Sequence, residues 1–127
     1  MITAENLLHF TGTEHHYRHW TKALIFTDGI HYLEENGAAW LLDVIASHQM
    51  NAKLKKGQLA DFQVWELKVN PDKTAVVTCR ADSKVPPAIT QKIEYTDFPL
   101  DGIKLWVETG SIDGINTCKI LMLPSER

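Results

Sequence analysis

The chain has 127 residues, 44% of them hydrophobic, with 13 Lys and Arg against 16 Asp and Glu, so its formal net charge is −3. This length and apolar content suit one domain that folds without a disulfide or a metal. The longest apolar run, residues 38–46, is interrupted by Asp43 and is far shorter than the roughly 20 residues of a membrane span. The N-terminus has no basic, apolar leader. We therefore expect a single α+β domain over residues 1–127, cytoplasmic and without a membrane role.

Charge is distributed unevenly along the chain. Residues 1–50 contain six acids and two bases, whereas residues 51–127 contain ten acids and eleven bases. All six histidines also lie in the first part, so its negative charge falls as the pH drops through about 6.5. The negative total, with only one small lysine cluster at residues 53–56, argues against nucleic-acid binding.

The N-terminal third predicts short strands followed by helices. Residues 11–14 fit either a turn or a helix capping box. The alternation of residues 15–20 and the extended character of residues 23–26 favour strands. The sequence Thr27-Asp28-Gly29 then predicts the start of a short helix over residues 30–35.

A helix stop at Asn36-Gly37 separates this helix from a second one. The second helix is predicted from Ala38 to about His48, and it is apolar around nearly its whole circumference, as a buried helix requires. The polar, basic stretch from Asn51 to Asp61 predicts an exposed connection or a frayed helical turn.

From residue 62 onward the hydrophobic period changes to two, which predicts strands. The strand candidates are Phe62–Val69, Thr74–Arg80, Ile89–Tyr95, Ile103–Glu108 and Ile115–Leu123. The alternation slips within the first of them, which indicates either a bulge or an end covered on both faces. Short turn-forming links, including Asp113-Gly114, favour antiparallel neighbours. We expect an antiparallel sheet of four to six strands with the two N-terminal helices packed on one face.

Two groups of polar residues are candidates for chemistry. His15 and His19 would share a metal on a helix, but on a strand they lie about 13 Å apart, so no metal site is expected. Asp43 lies within an apolar segment and must reach solvent or be paired, and its burial would raise its pKa. It could pair with Arg18 or form a polar stripe with Asn36 and Ser47.

Signatures of common enzyme classes are absent from the sequence. It contains no phosphate-binding loop, dinucleotide fingerprint, nucleophile elbow or zinc-protease motif, so no cofactor is expected. Cys79 and Cys118 are far apart and in apolar surroundings, which predicts two buried reduced thiols. Among the four tryptophans, Trp40 and Trp65 are assigned to the core, whereas Trp20 and Trp106 are flanked by charge and predict a surface for a partner.

Several ordered phrases together resemble a known family. These are Phe10-Thr11-Gly12-Thr13-Glu14, Tyr17-Arg18-His19, Thr27-Asp28-Gly29, Trp40-Leu41-Leu42-Asp43, Phe62-Gln63-Val64-Trp65, Glu94-Tyr95-Thr96-Asp97-Phe98-Pro99-Leu100 and Leu123-Pro124-Ser125-Glu126. From Leu7 to Glu126 the chain resembles an uncharacterised family of small bacterial and phage-associated proteins, a domain of unknown function. The resemblance implies a stand-alone domain in mobile-element settings, and it transfers no activity and no catalytic residue.

We interpret the chain as a non-enzymatic interaction or accessory protein that binds another macromolecule, a protein partner or a second copy of the chain, with a surface built from the acidic, His-rich N-terminal part and exposed aromatic side chains. The candidate partner-binding residues are His15, His16, Trp20 and Trp106. One alternative is a small hydrolase or metal-assisted enzyme in the N-terminal segment. Its candidate catalytic residues are Glu14, Arg18, His19, Asp28 and Asp43. A second alternative is a homo-oligomeric structural module that self-associates through a sheet edge or Trp106.

Overall fold

A seven-stranded sheet organises the fold, in the order β1-β2-β7-β6-β3-β4-β5. The computed structural model describes residues 2–111 and 113–127. The strands are β1 (Tyr17–Arg18), β2 (Ile25–Phe26), β3 (Phe62–Val69), β4 (Ala75–Arg80), β5 (Ile89–Ile93), β6 (Gly102–Gly110) and β7 (Cys118–Met122). Neighbouring strands are antiparallel except β2 and β7, which run parallel.

The predicted antiparallel sheet of four to six strands is therefore wrong in strand number and in one pairing. The five C-terminal strands were all predicted, and they form consecutive or nearby antiparallel pairs. The difference arises at β1 and β2, which lie within the strands predicted over residues 15–20 and 23–26 and extend the sheet to seven strands. Because β2 joins β7 across nearly the whole chain, with Ile25 opposite Ile120, its direction depends on long-range packing rather than on a local turn.

Helices and short helical turns lie mostly between β2 and β3. They are α1 (Ala4–Leu7), α2 (Asp28–Leu33), α3 (Ala39–His48) and α4 (Gln58–Asp61), with 3-10 turns at Ala52–Lys55 and Pro124–Glu126. In the described part of the chain, no helix combines the length and the apolarity needed to cross a membrane.

The predicted pair of N-terminal helices corresponds to α2 and α3. The prediction lacked the two short helices α1 and α4. The break between them is confirmed, because Gly37 has a φ of 98° that interrupts the helical path. The predicted connection over residues 51–61 contains a 3-10 turn and α4, which agrees with the helical-turn alternative, and most of its side chains are exposed. Leu54 within it is only 1% exposed, so burial of this side chain orders the segment. Residues 11–14, by contrast, form no helix, and the turn interpretation is the correct one.

The core lies between helices α2 and α3 and one face of the sheet. Leu41 and Ile45 of α3 pack with Trp65 and Leu105 of the sheet in one buried cluster. Trp40, which was assigned to the core, is half-buried and packs against this cluster. Both cysteines are free; Cys79 is buried as predicted, but Cys118 is only half-buried.

The slip of alternation in β3 has no bulge behind it. The strand pairs without interruption with both neighbours. Gln63 occupies an inward position, where its amide exchanges hydrogen bonds with Gln49 and accepts one from Trp65 Nε1 at 2.8 Å. Phe62 and Val64 are half-buried on the opposite face. The other predicted cause, an end of the strand covered on both faces, is met only in part, because this second face is half-buried.

The C-terminus is tied to the start of α2 by a buried carboxylate. Glu126 accepts hydrogen bonds from Thr27 Oγ1 at 2.6 Å, Gly29 N at 3.0 Å and Leu123 N at 3.0 Å. A Cβ at Gly29 would lie 2.6 Å from Glu126 Oε1. The close approach of the two segments therefore requires glycine at position 29.

Candidate functional site

The connection between β1 and β2 is a tight turn with a tryptophan near its tip. Lys22 N donates to His19 O at 2.8 Å, and His19 N donates to Leu24 O at 2.9 Å. Lys22 has a φ of 66°, in the left-handed region. We call residues 19–22 the Trp20 turn. Its Trp20 side chain is 76% exposed, which is unusual for so large an apolar group.

A single carboxylate oxygen fixes this turn to α3. Asp43 Oδ1 accepts a hydrogen bond from Trp20 Nε1 at 2.8 Å and lies 2.8 Å from His19 Nε2. The His19 side chain is buried, whereas that of Asp43 is about half exposed. The prediction that Asp43 must reach solvent or be paired is confirmed in both respects, and its partners are His19 and Trp20 rather than Arg18. Ser47 bonds instead to the Val44 carbonyl.

The surrounding contacts determine the tautomer of His19. Its Nδ1 accepts the backbone N–H of Thr21 at 3.2 Å and lies 2.9 Å from Thr21 Oγ1. Because Nδ1 accepts, Nε2 carries the proton and donates it to Asp43. A continuous hydrogen-bond chain thus runs from the Thr21 hydroxyl through His19 to Asp43.

This geometry holds an exposed aromatic ring in one orientation. The indole N–H of Trp20 is bonded, and the ring lies 5.6 Å from the His19 ring at an interplanar angle of 34°. The remaining ring surface is open to solvent. A large side chain that is ordered before binding loses less conformational entropy when a partner covers it. The Trp20 turn therefore presents a large aromatic ring that is both ordered and exposed to solvent.

A second polar cluster surrounds Asp28 at the start of α2. Its carboxylate accepts hydrogen bonds from Glu14 N at 2.9 Å and Tyr17 Oη at 3.2 Å. His15 Nδ1 lies 3.8 Å from it. The bond from Glu14 N is the main cause that lowers the pKa of Asp28. Since Asp28 N in turn receives a bond from Thr13 Oγ1, this cluster attaches the loop before β1 to α2.

The structure divides the predicted catalytic residues into separate groups. His19 and Asp43 meet directly, whereas Asp28 contacts the backbone of Glu14 in the other cluster. Arg18 is exposed, whereas the adjoining His19 is buried. The Glu14 side chain is likewise exposed. In the described residues, no group of three or more His, Cys, Asp or Glu side chains is placed to hold a metal ion.

The predicted partner-binding residues are also spread over the molecule. Trp20 lies on the side of the sheet that carries α3, and Trp106 is half-buried on the opposite face. His15 and His16 are exposed near the Asp28 cluster. Sequence reasoning missed Thr21, although a threonine two residues after a histidine in a turn is a usable signal for a local side-chain bond.

A family model described as a family of unknown function, DUF6876, matches residues 1–127. No curated protein and no solved structure gives a match.

Proposed function

The chain belongs to DUF6876, a family of unknown function, and we propose that it is a non-enzymatic binding protein that docks on a protein partner through the Trp20 turn. The observation that carries this proposal is the state of Trp20. Its side chain is 76% exposed, yet its indole N–H is fixed by Asp43 at 2.8 Å. Tryptophan is among the residues most enriched at the energetic centres of interfaces.

Covering the exposed ring would provide substantial binding energy. A buried tryptophan removes about 150–250 Å² from water, at about 25 cal/mol per Å². The exposed three quarters of Trp20 would then contribute about 3–5 kcal/mol before the entropic costs of association. Left in water, the same surface contributes nothing to folding.

The surroundings of Trp20 indicate the kind of partner surface. The first 50 residues hold six acids and two bases, and the Asp43 carboxylate beside the ring is half exposed. An apolar pocket with a basic rim would complement both the ring and this charge. The partner we propose is therefore a protein with such a pocket, and a second copy of this chain is the alternative partner.

The test compares Trp20→Ala with a matched variant, Leu8→Ala. Leu8 is 72% exposed, so both substitutions remove an exposed apolar side chain. We expect Trp20→Ala to weaken binding to the captured partner at least thirtyfold, the usual effect at an interface hot spot, with Leu8→Ala close to wild type. Sedimentation of the purified chain identifies self-association. Equal binding by both variants would contradict the proposal.

Hydrolysis is a second candidate function, and the Thr21–His19–Asp43 chain is the observation in its favour. An activated nucleophile usually consists of a hydroxyl, an imidazole base and an orienting carboxylate, hydrogen-bonded in that order. Against it, the His19 Nδ1 lone pair is shared with the Thr21 backbone N–H, which weakens it as a base. Covalent labelling by a fluorophosphonate at Thr21, lost in Thr21→Val, would support hydrolysis. An unlabelled wild-type chain would exclude this nucleophile.

A further inference from the structure

The face of the sheet opposite α3 is open over four of its strands. Among the described residues of β3 to β6, the inward side chains form the core, while every side chain that points the other way is half-buried or exposed. We call this surface the outer face. It lies on the other side of the sheet from the Trp20 turn, so it is independent of the interface proposed above.

Two aromatic rings and an arginine form a groove on the outer face. The rings of Phe62 and Trp106 meet edge to face with centroids 5.3 Å apart. The Arg127 guanidinium lies 5.3 Å from the first centroid and 5.8 Å from the second. Val64 and Lys104 also line this groove, whose volume is about 450 Å³. The rings present π surface next to positive charge.

The outer face is positive although the chain as a whole is negative. Its bases are Lys68, Arg80, Lys92, Lys104 and Arg127, the last paired with Glu108 at 3.3 Å, and its acids are Glu66, Glu108, Glu94 beside Lys92, and Asp82 at the rim of the groove. The chain contains 13 bases and 16 acids, so the outer face has five bases and four acids and the rest of the molecule has eight bases and twelve acids. Folding therefore separates charge into a basic face and an acidic remainder. The net charge of the whole chain is the sum over both regions, so it does not reveal this separation.

We propose that the outer face binds single-stranded nucleic acid. Phosphates would meet the scattered cations, and one or two bases would stack on Trp106 and Phe62 at the groove, the combination used by sequence-tolerant single-strand binders. Neighbouring strands lie about 4.8 Å apart, and alternate side chains along one strand lie about 6.8 Å apart. The cations are therefore spread over several strands, a distribution that suits an extended ligand rather than a single anion. An acidic peptide would use the cations but leave the rings without a role.

The expectation against nucleic-acid binding rested on the negative total and on the small lysine cluster at residues 53–56. Lys92 and Lys104 lie 12 positions apart in sequence, on strands that the fold brings into one sheet. Strand order, which the sequence does not specify, is what places them on the same surface as Trp106.

The experiment measures fluorescence anisotropy of labelled 12-nucleotide oligothymidylate and oligouridylate from low to moderate salt. The test variants are Lys92→Gln with Lys104→Gln, and Trp106→Leu. The matched controls are Lys55→Gln with Lys56→Gln, whose lysines are exposed and lie outside the strands, and Trp20→Ala on the opposite side of the sheet. Thermal melting confirms that each variant is folded. If Trp106→Leu is unstable, the double lysine variant still tests the proposal, because both of its lysines are exposed.

We expect the double lysine variant to reduce the salt dependence, the slope of log K against log salt, by about 1.4, which is two phosphate contacts at about 0.7 each. Trp106→Leu should weaken binding about tenfold, the usual loss for one stacked base. Both controls should bind like wild type. Absence of binding at low salt, or equal loss in tests and controls, would overturn the proposal. Equally tight binding of polyglutamate would overturn it too, in favour of an acidic protein partner. None of these results would affect the proposed Trp20 interface.

Discussion

Substitution of Asp43 by alanine tests how the Trp20 turn is held. It removes the acceptor shared by His19 Nε2 and Trp20 Nε1, both at 2.8 Å. The His19 side chain is 1% exposed, so water does not readily replace the lost partner. A buried donor left without an acceptor costs about 1–3 kcal/mol. The Trp20 N–H belongs to an exposed side chain and can bond to water, so it adds little.

We therefore expect Asp43→Ala to lower the free energy of unfolding by about 1–3 kcal/mol, or the melting temperature by about 4 °C per kcal/mol for a domain of this size. Asp43→Asn is the matched control, because its Oδ1 can still accept both bonds. It should cost about 1 kcal/mol or less. Urea denaturation followed by circular dichroism measures the change in folding without interference from Trp20 fluorescence.

The same pair of variants reports on the ring itself. In wild type, the indole ¹⁵N relaxation of Trp20 should show a rigid group despite its exposure, and in Asp43→Ala it should show fast motion. Stability within 0.5 kcal/mol of wild type in Asp43→Ala, or equal effects of the two substitutions, would refute the assignment of Asp43 as the residue that positions the turn.

Three further predictions concern the fold around the site. Gly29→Ala places a carbon 2.6 Å from Glu126 Oε1, so chemical denaturation should show a loss of about 1–3 kcal/mol; at Gly12, with open space, Ala should have little effect. The pKa of Asp28 is lowered in the folded chain, so its stabilising contribution is present above about pH 4 and is lost as the pH falls through the folded pKa; Asp28→Asn should therefore show a shallower loss of stability in acid. Burial raises the pKa of Cys79 to about 12, so in Cys118→Ser, Ellman's reagent at pH 8 should react only after unfolding.

Much of the fold could be predicted because its signals are local. Strands β3 to β7 are each five or more residues long, rich in apolar residues, and separated by turn-forming sequences. The break at Gly37 follows from a residue type that favours a left-handed conformation. By contrast, β1 and β2 are two residues long, and the parallel pairing of Ile25 with Ile120 joins segments nearly a hundred positions apart. Such pairing depends on long-range packing of the core rather than on a local turn.

The residues of the candidate site could be predicted from the sequence, but which of them lie together could not. The position of Asp43 within an apolar helix indicated that it needs solvent or a partner, and His19 and Trp20 were both selected as candidates. Their meeting at one oxygen depends on how the β1–β2 turn packs on α3. The basic outer face was missed for a similar reason, because its charges are dispersed in sequence and concentrated only by strand order.

The most direct test of the Trp20 interface is affinity capture from an extract of the source cells, using wild type, Trp20→Ala and Leu8→Ala as baits and quantitative mass spectrometry as the readout. If Trp20 anchors a partner, a defined protein is enriched equally by wild type and Leu8→Ala and is depleted at least tenfold with Trp20→Ala. If all three folded baits retain the same proteins in the same amounts, the Trp20 turn is not the docking surface and the proposed function is wrong.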